Sequence, residues 1–139
     1  MSAFADEGVE YLVVGAYALA VHGLPRATGD IDLWVRPSSE NARCVWSALA
    51  LFGAPLKGLT SEDLTRPGIV FQVGVAPARI DILTSLDGVE FEDAWTARTE
   101  SVVEGIRLPV IGRRHLILNK KATARPQDLA DVAMLEAGE

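Results

Sequence analysis

Short apolar segments, separated by turns rich in glycine and proline, set the pattern of this chain. Tyr11–Val14 is a continuous apolar run that stops at Gly15, which is typical of a strand buried on both faces. The alanine-rich segment 16–22 predicts a short helix that ends at the following glycine and proline. Segment 30–35 alternates acidic and apolar residues, which is the period of a strand with one buried face.

The rest of the pattern predicts further helices and two hairpins. Predicted helices cover residues 38–52, 91–98, 113–124 and 126–137, and predicted strands cover 69–75, 79–84, 101–104 and 106–111. The first hairpin would turn at Ala76-Pro77-Ala78. This order of elements predicts one α/β (α+β) domain over residues 1–139, a mixed β-sheet with helices packed on it.

Two predicted strands carry carboxylates on the face opposite their apolar side chains. Asp30 and Asp32 lie two residues apart and therefore project from one face, and Asp81 is placed in the same way on a later strand. If the two strands are neighbours, the three carboxylates meet and can hold Mg²⁺ (or Mn²⁺), which prefers hard oxygen ligands. The alternative is a solvated acidic face whose charges pair with Arg26 and Arg79.

The turn at Gly15 indicates a phosphate site. A strand that turns directly into a helix offers free backbone N–H groups at Gly15 and Ala16, and glycine lets a phosphate approach the backbone closely. The glycine patterns of a Walker loop and of a dinucleotide-binding fingerprint are both absent from the sequence.

Composition narrows the classes of function. The 13 Lys and Arg against 19 Asp and Glu give a net charge of −6, which argues against general DNA or RNA binding but leaves room for RNA on a local basic strip. One cysteine, Cys44, allows no internal disulfide and fits a reducing cytoplasm. No apolar run reaches the length of a membrane span, so we expect a cytoplasmic protein.

Two regions of the sequence, each made of two segments, carry a family resemblance. Segments 13–18 (VVGAYA) and 23–35 (GLPRATGDIDLWV), joined to 116–121 (LILNKK) and 125–131 (RPQDLAD), resemble the nucleotidyltransferase superfamily. The chain looks closest to small bacterial proteins related to AbiEii-type toxins and other toxin–antitoxin nucleotidyltransferases. The likeness extends over residues 9–136.

The resemblance implies a reaction and a role for each site residue. Asp30 and Asp32 would bind two metal ions, and Asp81 would complete one site and help deprotonate an acceptor hydroxyl. Gly15, Ala16 and Lys120 would contact the phosphates. The hydroxyl of an RNA, a protein or a small molecule would attack the α-phosphorus of a nucleoside triphosphate, and pyrophosphate would leave.

Two alternatives stay open at the level of sequence. Many active members of the superfamily have serine where this chain has Ala16, so the second hypothesis is a non-catalytic, partner-binding or antitoxin-like module. Lys120 could equally belong to an ion-pair network with Arg125, Asp128 and Asp131 that joins the last two helices. A partner protein or a homo-oligomer is compatible with both hypotheses.

Overall fold

The computed structural model describes residues 2–24, 30–53, 58–74, 79–103 and 105–138. The helices are α1 (Ser2–Asp6), α2 (Gly15–Val21), α3 (Ser39–Phe52), α4 (Phe91–Thr96), α5 (Arg113–Thr123) and α6 (Pro126–Ala137). The strands are β1 (Tyr11–Val14), β2 (Ile31–Val35), β3 (Val70–Val73), β4 (Ile80–Leu83), β5 (Thr99–Val103) and β6 (Ile106–Val110). Each element predicted from the sequence is present, with ends that differ by a few residues.

The six strands form one mixed sheet in the order β3-β4-β2-β1-β6-β5. β1 pairs antiparallel with β2 and parallel with β6, and β2 pairs parallel with β4. The two predicted hairpins are the antiparallel pairs β3/β4 and β5/β6. The predicted turn at residues 76–78 and the arginine at position 26 lie outside the described residues.

Both faces of the sheet are buried in its centre, as the continuous apolar run of β1 predicts. On one face Tyr11 packs edge-on against Phe4 of α1, with ring centroids 5.3 Å apart. On the other face Trp34, 2% exposed, packs edge-on against Phe91 of α4 at 5.0 Å. Trp34 shares its face of β2 with Asp32, and its ring is buried against this helix.

One buried amide ties the start of β1 to the end of β2. The Asn41 side chain accepts a hydrogen bond from the backbone N–H of Glu10 (2.8 Å) and donates to the carbonyl oxygens of Glu10 and Arg36 (2.9 Å each). Ser38 caps α3 by accepting a hydrogen bond from the Asn41 backbone N–H. These bonds support the pairing of β1 with β2. That pairing places Asp32 opposite Val14, the residue before the Gly15 turn.

Among the helices that the structure describes, none combines the length and the apolar character needed to cross a membrane.

Candidate active site

Two carboxylates from neighbouring strands lie side by side in the middle of the sheet. In the parallel pair β2/β4, Asp32 is the register partner of Asp81, and in the antiparallel pair β1/β2 it is the partner of Val14. Register partners project from the same face of a sheet, so both carboxylates emerge beside the last residue of β1. The adjacency of the two acidic strands, on which the sequence interpretation depended, is therefore present.

The turn from β1 into α2 lies against one of these carboxylates. Gly15 has φ +70°, a left-handed backbone conformation that residues other than glycine rarely adopt. A Cβ atom added there would lie 2.2 Å from Oδ2 of Asp32, far inside van der Waals contact. Glycine is thus required twice at this position, once by the backbone angle and once by the carboxylate.

Arg79, the residue before β4, bridges the acidic residues. Its Nη2 lies 2.9 Å from Oδ2 of Asp30, and its Nε lies 3.1 Å from Oδ1 of Asp81. The side chains of Arg79 and Asp30 are each 34% exposed, whereas that of Asp81 is 14% exposed. Arg79 therefore forms the ion pairs that the sequence gave as the alternative explanation for the acidic residues.

The neighbouring acids change the protonation of Asp32. Burial, the charge of Asp81, a hydrogen bond with the Asp81 side chain and the charge of Asp30 together raise the pKa of Asp32 to about 6, against an opposing contribution from Arg79. A carboxylate in this situation gains from any additional cation, because a cation relieves the repulsion that raises its pKa.

Lys120 belongs to a buried network between α5 and α6. Its Nζ lies 3.2 Å from Oδ1 of Asp128 and 3.2 Å from Oδ2 of Asp131. Asp128 also accepts hydrogen bonds from Thr123 Oγ1 (2.8 Å) and Arg125 Nε (2.7 Å). The guanidinium of Arg125, followed by the other donors, holds the pKa of Asp128 well below its usual range. The ion-pair network proposed from the sequence is present.

A cavity of about 270 Å³ is lined both by Asp32 and by members of this network, whereas Asp30, Asp81 and Ala16 do not line it. Of the candidate residues, Gly15, Asp32 and Lys120 line it, so the fold brings together residues more than a hundred positions apart. Arg125 and Asp128 line the same cavity from the side of α5 and α6. Lys120 therefore takes part in the ion-pair network and also lies at the edge of the candidate site, which are the two roles that the sequence left open.

Four further polar residues line the cavity that the sequence did not single out, one of which is Thr123 of the α5–α6 network. Ser85 and Asp87 follow β4 directly, and Asn119 precedes Lys120 on α5. Asn119 donates a hydrogen bond to the backbone carbonyl of Asp87 (3.0 Å), which joins this loop to the helix. For Ser85 and Asp87 the signal in the sequence is their position, since a loop that follows an acidic strand is a common place for binding residues.

A metal ion needs several oxygen ligands that converge on one point. Within the described ranges, no three Asp, Glu, His or Cys side chains are arranged around one point as a metal site. Arg79 occupies the space between Asp30 and Asp81. The pair Asp32 and Asp81 still suits Mg²⁺, which is commonly bound by one or two carboxylates together with substrate phosphates and water.

Comparison with solved structures gives the class of fold. The lincosamide antibiotic adenylyltransferase LnuA, solved with lincomycin bound, matches with a TM-score of 0.59 and 13% identity, over 98% of this chain and 91% of that chain. A Thermotoga maritima protein described as a candidate nucleotidyltransferase matches with a TM-score of 0.58 and 14% identity, over 96% and 86%. No protein-family model and no curated protein matches the sequence. The chain has a nucleotidyltransferase-like α/β fold.

Proposed function

We propose that this protein is a metal-dependent nucleotidyltransferase that moves a nucleoside monophosphate from a nucleoside triphosphate to an acceptor hydroxyl. One observation carries the proposal: Asp32 and Asp81 are register partners on adjacent strands, directly beside the glycine turn that opens α2. This arrangement has carboxylates for a cation and backbone N–H groups for phosphate within one small region.

The residues have the following roles in the proposal. Asp32 and Asp81, with Asp30 at the edge of the group, hold Mg²⁺ or Mn²⁺, and Gly15 and Ala16 receive phosphate oxygens at the start of α2. A bound divalent ion supplies charge neutralisation for the triphosphate and for the pyrophosphate that leaves.

The acceptor side of the reaction requires a base and a positioned hydroxyl. Asp81 accepts the proton of the acceptor hydroxyl, which then attacks the α-phosphorus. Lys120 lines the same cavity as Asp32 and contributes positive charge towards the phosphates, although Asp128 and Asp131 share that charge. Catalysis in this scheme comes mainly from positioning and from electrostatic stabilisation.

The acceptor that we propose to test first is a small molecule. The neighbour LnuA is an adenylyltransferase of lincosamide antibiotics, and the net charge of −6 disfavours a large nucleic-acid surface. RNA ends and a protein hydroxyl, with a toxin–antitoxin role of the AbiEii type in the cytoplasm, are the other acceptor classes. Incubation with α-labelled nucleotide and lincomycin, total RNA or cell extract, each in a separate reaction, distinguishes these classes by which fraction becomes labelled.

The first experiment measures binding, because it needs no acceptor. Mg²⁺ with a nucleoside triphosphate should raise the melting temperature of the protein, and Asp32→Asn or Asp81→Asn should remove that rise. Asp93→Asn, an exposed acid of α4, is the matched control and should keep it. Absence of any rise in the wild-type protein with all four triphosphates would contradict the proposal.

A second candidate function is supported by the ion pairs of Arg79 and by Ala16. A non-catalytic module would keep Arg79 on Asp30 and Asp81 permanently and would use the fold to bind a partner protein or a nucleotide. Such a module gives no label transfer to any acceptor class, and Asp81→Ala leaves its binding of nucleotide or partner unchanged. The enzyme, in contrast, transfers label and loses the transfer in Asp81→Ala.

A further inference from the structure

We infer that Arg79 is the resident counter-cation of the acidic group and that a divalent ion must displace it from the carboxylates in order to bind. The inference rests on the proposed function and concerns the regulation of the same site. It follows from where the guanidinium lies, between two carboxylates that the proposal assigns to the metal.

The contacts of Arg79 account for how three acids can lie together in this protein. The guanidinium reaches both Asp30 and Asp81 through different nitrogen atoms, at 2.9 and 3.1 Å, and Nη2 also donates to Asp81 Oδ2 at 3.5 Å. One cation thus serves two carboxylates, and its charge also acts on Asp32. Arginine suits this position because its planar fork engages two acceptors at once.

The same contacts oppose the entry of a metal ion. A carboxylate oxygen that contacts a guanidinium at about 3 Å attracts Mg²⁺ less strongly, because the guanidinium neutralises part of its charge. Two cations that share the same carboxylates also repel each other. The metal-competent state is therefore only a fraction of the population, and the apparent affinity for metal alone falls by that fraction. Phosphate oxygens brought by a nucleotide supply ligands that the arginine does not occupy.

The position of Arg79 makes such a release feasible. Its side chain is one-third exposed, so the guanidinium can swing towards solvent without unpacking the core. The backbone carbonyl of Arg79 accepts a hydrogen bond from the Ile31 N–H (3.0 Å), so the release involves only the side chain, whose movement leaves the pairing of β2 with β4 intact.

The test uses the full chain, without nucleotide, and Mg²⁺ or Mn²⁺ alone as the probe. Arg79→Gln should raise the affinity for the metal alone by about tenfold or more, the usual effect of one charge next to a carboxylate. Arg66→Gln is the matched control, because Arg66 is exposed, pairs with Asp63 (3.6 Å) and does not line the cavity, and the metal affinity of this variant should stay at the wild-type value. Calorimetry and the paramagnetic signal of Mn²⁺ both measure this without any activity.

The outcomes separate this inference from the proposed function. An unchanged metal affinity in Arg79→Gln overturns the inference, even if the wild type binds Mg²⁺ with nucleotide. If Arg79→Gln is unfolded in the absence of metal, recovery of its fold with millimolar Mg²⁺, but not with Na⁺ of equal ionic strength, supports the inference. Failure of Mg²⁺ to restore the fold overturns it.

Discussion

Substitution of Gly15 by alanine tests whether the turn and the carboxylate form one unit. Gly8 and Gly15 have nearly the same left-handed backbone, with φ values of 68° and 70°. They differ in their surroundings, since a Cβ at Gly8 meets nothing within 4 Å, whereas a Cβ at Gly15 lies 2.2 Å from Asp32 Oδ2. The pair Gly15→Ala and Gly8→Ala therefore separates the cost of the backbone angle from the cost of the contact.

The two substitutions share one energetic term and differ in a second. An L side chain in the left-handed region costs about 1–2 kcal/mol, so Gly8→Ala should lower the free energy of unfolding by that amount. In Gly15→Ala the Asp32 carboxylate must also retreat by more than about 1 Å to reach ordinary contact, and overpacking of this kind adds about 1–3 kcal/mol. We expect a total loss of roughly 2–5 kcal/mol for Gly15→Ala.

Urea unfolding measures the two losses, and a thermal shift with Mg²⁺ and nucleoside triphosphate measures the site. Gly8→Ala should keep the full shift, whereas Gly15→Ala should lose it because Asp32 has moved and the approach to the backbone is blocked. If Gly15→Ala is no less stable than Gly8→Ala and keeps the same shift, the turn and the carboxylate are independent and the assignment of Gly15 is refuted.

Two further predictions concern charged residues that line the cavity. The folded state holds the pKa of Asp32 at about 6, above its unfolded value. The contribution of Asp32 to the stability of the metal-free protein should therefore be greatest below about pH 4, and up to about 3 kcal/mol of it should be lost as the pH rises to about 6. Urea unfolding in EDTA should show that loss in the wild type and not in Asp32→Asn. Asp128→Asn should cost about 3–5 kcal/mol, because it leaves Lys120 in a buried site with one carboxylate. The exposed pair of Lys121 with Glu136 joins the same helices, so Glu136→Gln should cost under about 1 kcal/mol, and equal losses for the two variants would contradict the role given to burial.

The fold could be predicted from local patterns in the sequence, but the cavity could not. The four apolar residues of Tyr11–Val14 predicted a strand covered on both faces, and the acidic alternation of segment 30–35 predicted which face carries Asp32. Whether β4 pairs with β2 is decided by packing between distant segments, so the adjacency of Asp81 could only be stated as a condition. The approach of α5 and its Asn119 to the loop that follows β4 depends on contacts across the sheet, which no local periodicity encodes.

The balance of charge around the cavity explains why a metal ion is central to the proposal. Lys120 is shared by two buried carboxylates, and the guanidinium of Arg125 binds Asp128 at 2.7 and 3.1 Å. Both cations are therefore largely compensated before any ligand arrives, and Asp32 adds further negative charge to the lining of the same cavity. A triphosphate brings several more negative charges into the same space, so its binding requires added positive charge. Under the proposed function, we therefore expect a divalent ion to be a condition of nucleotide binding as well as of catalysis.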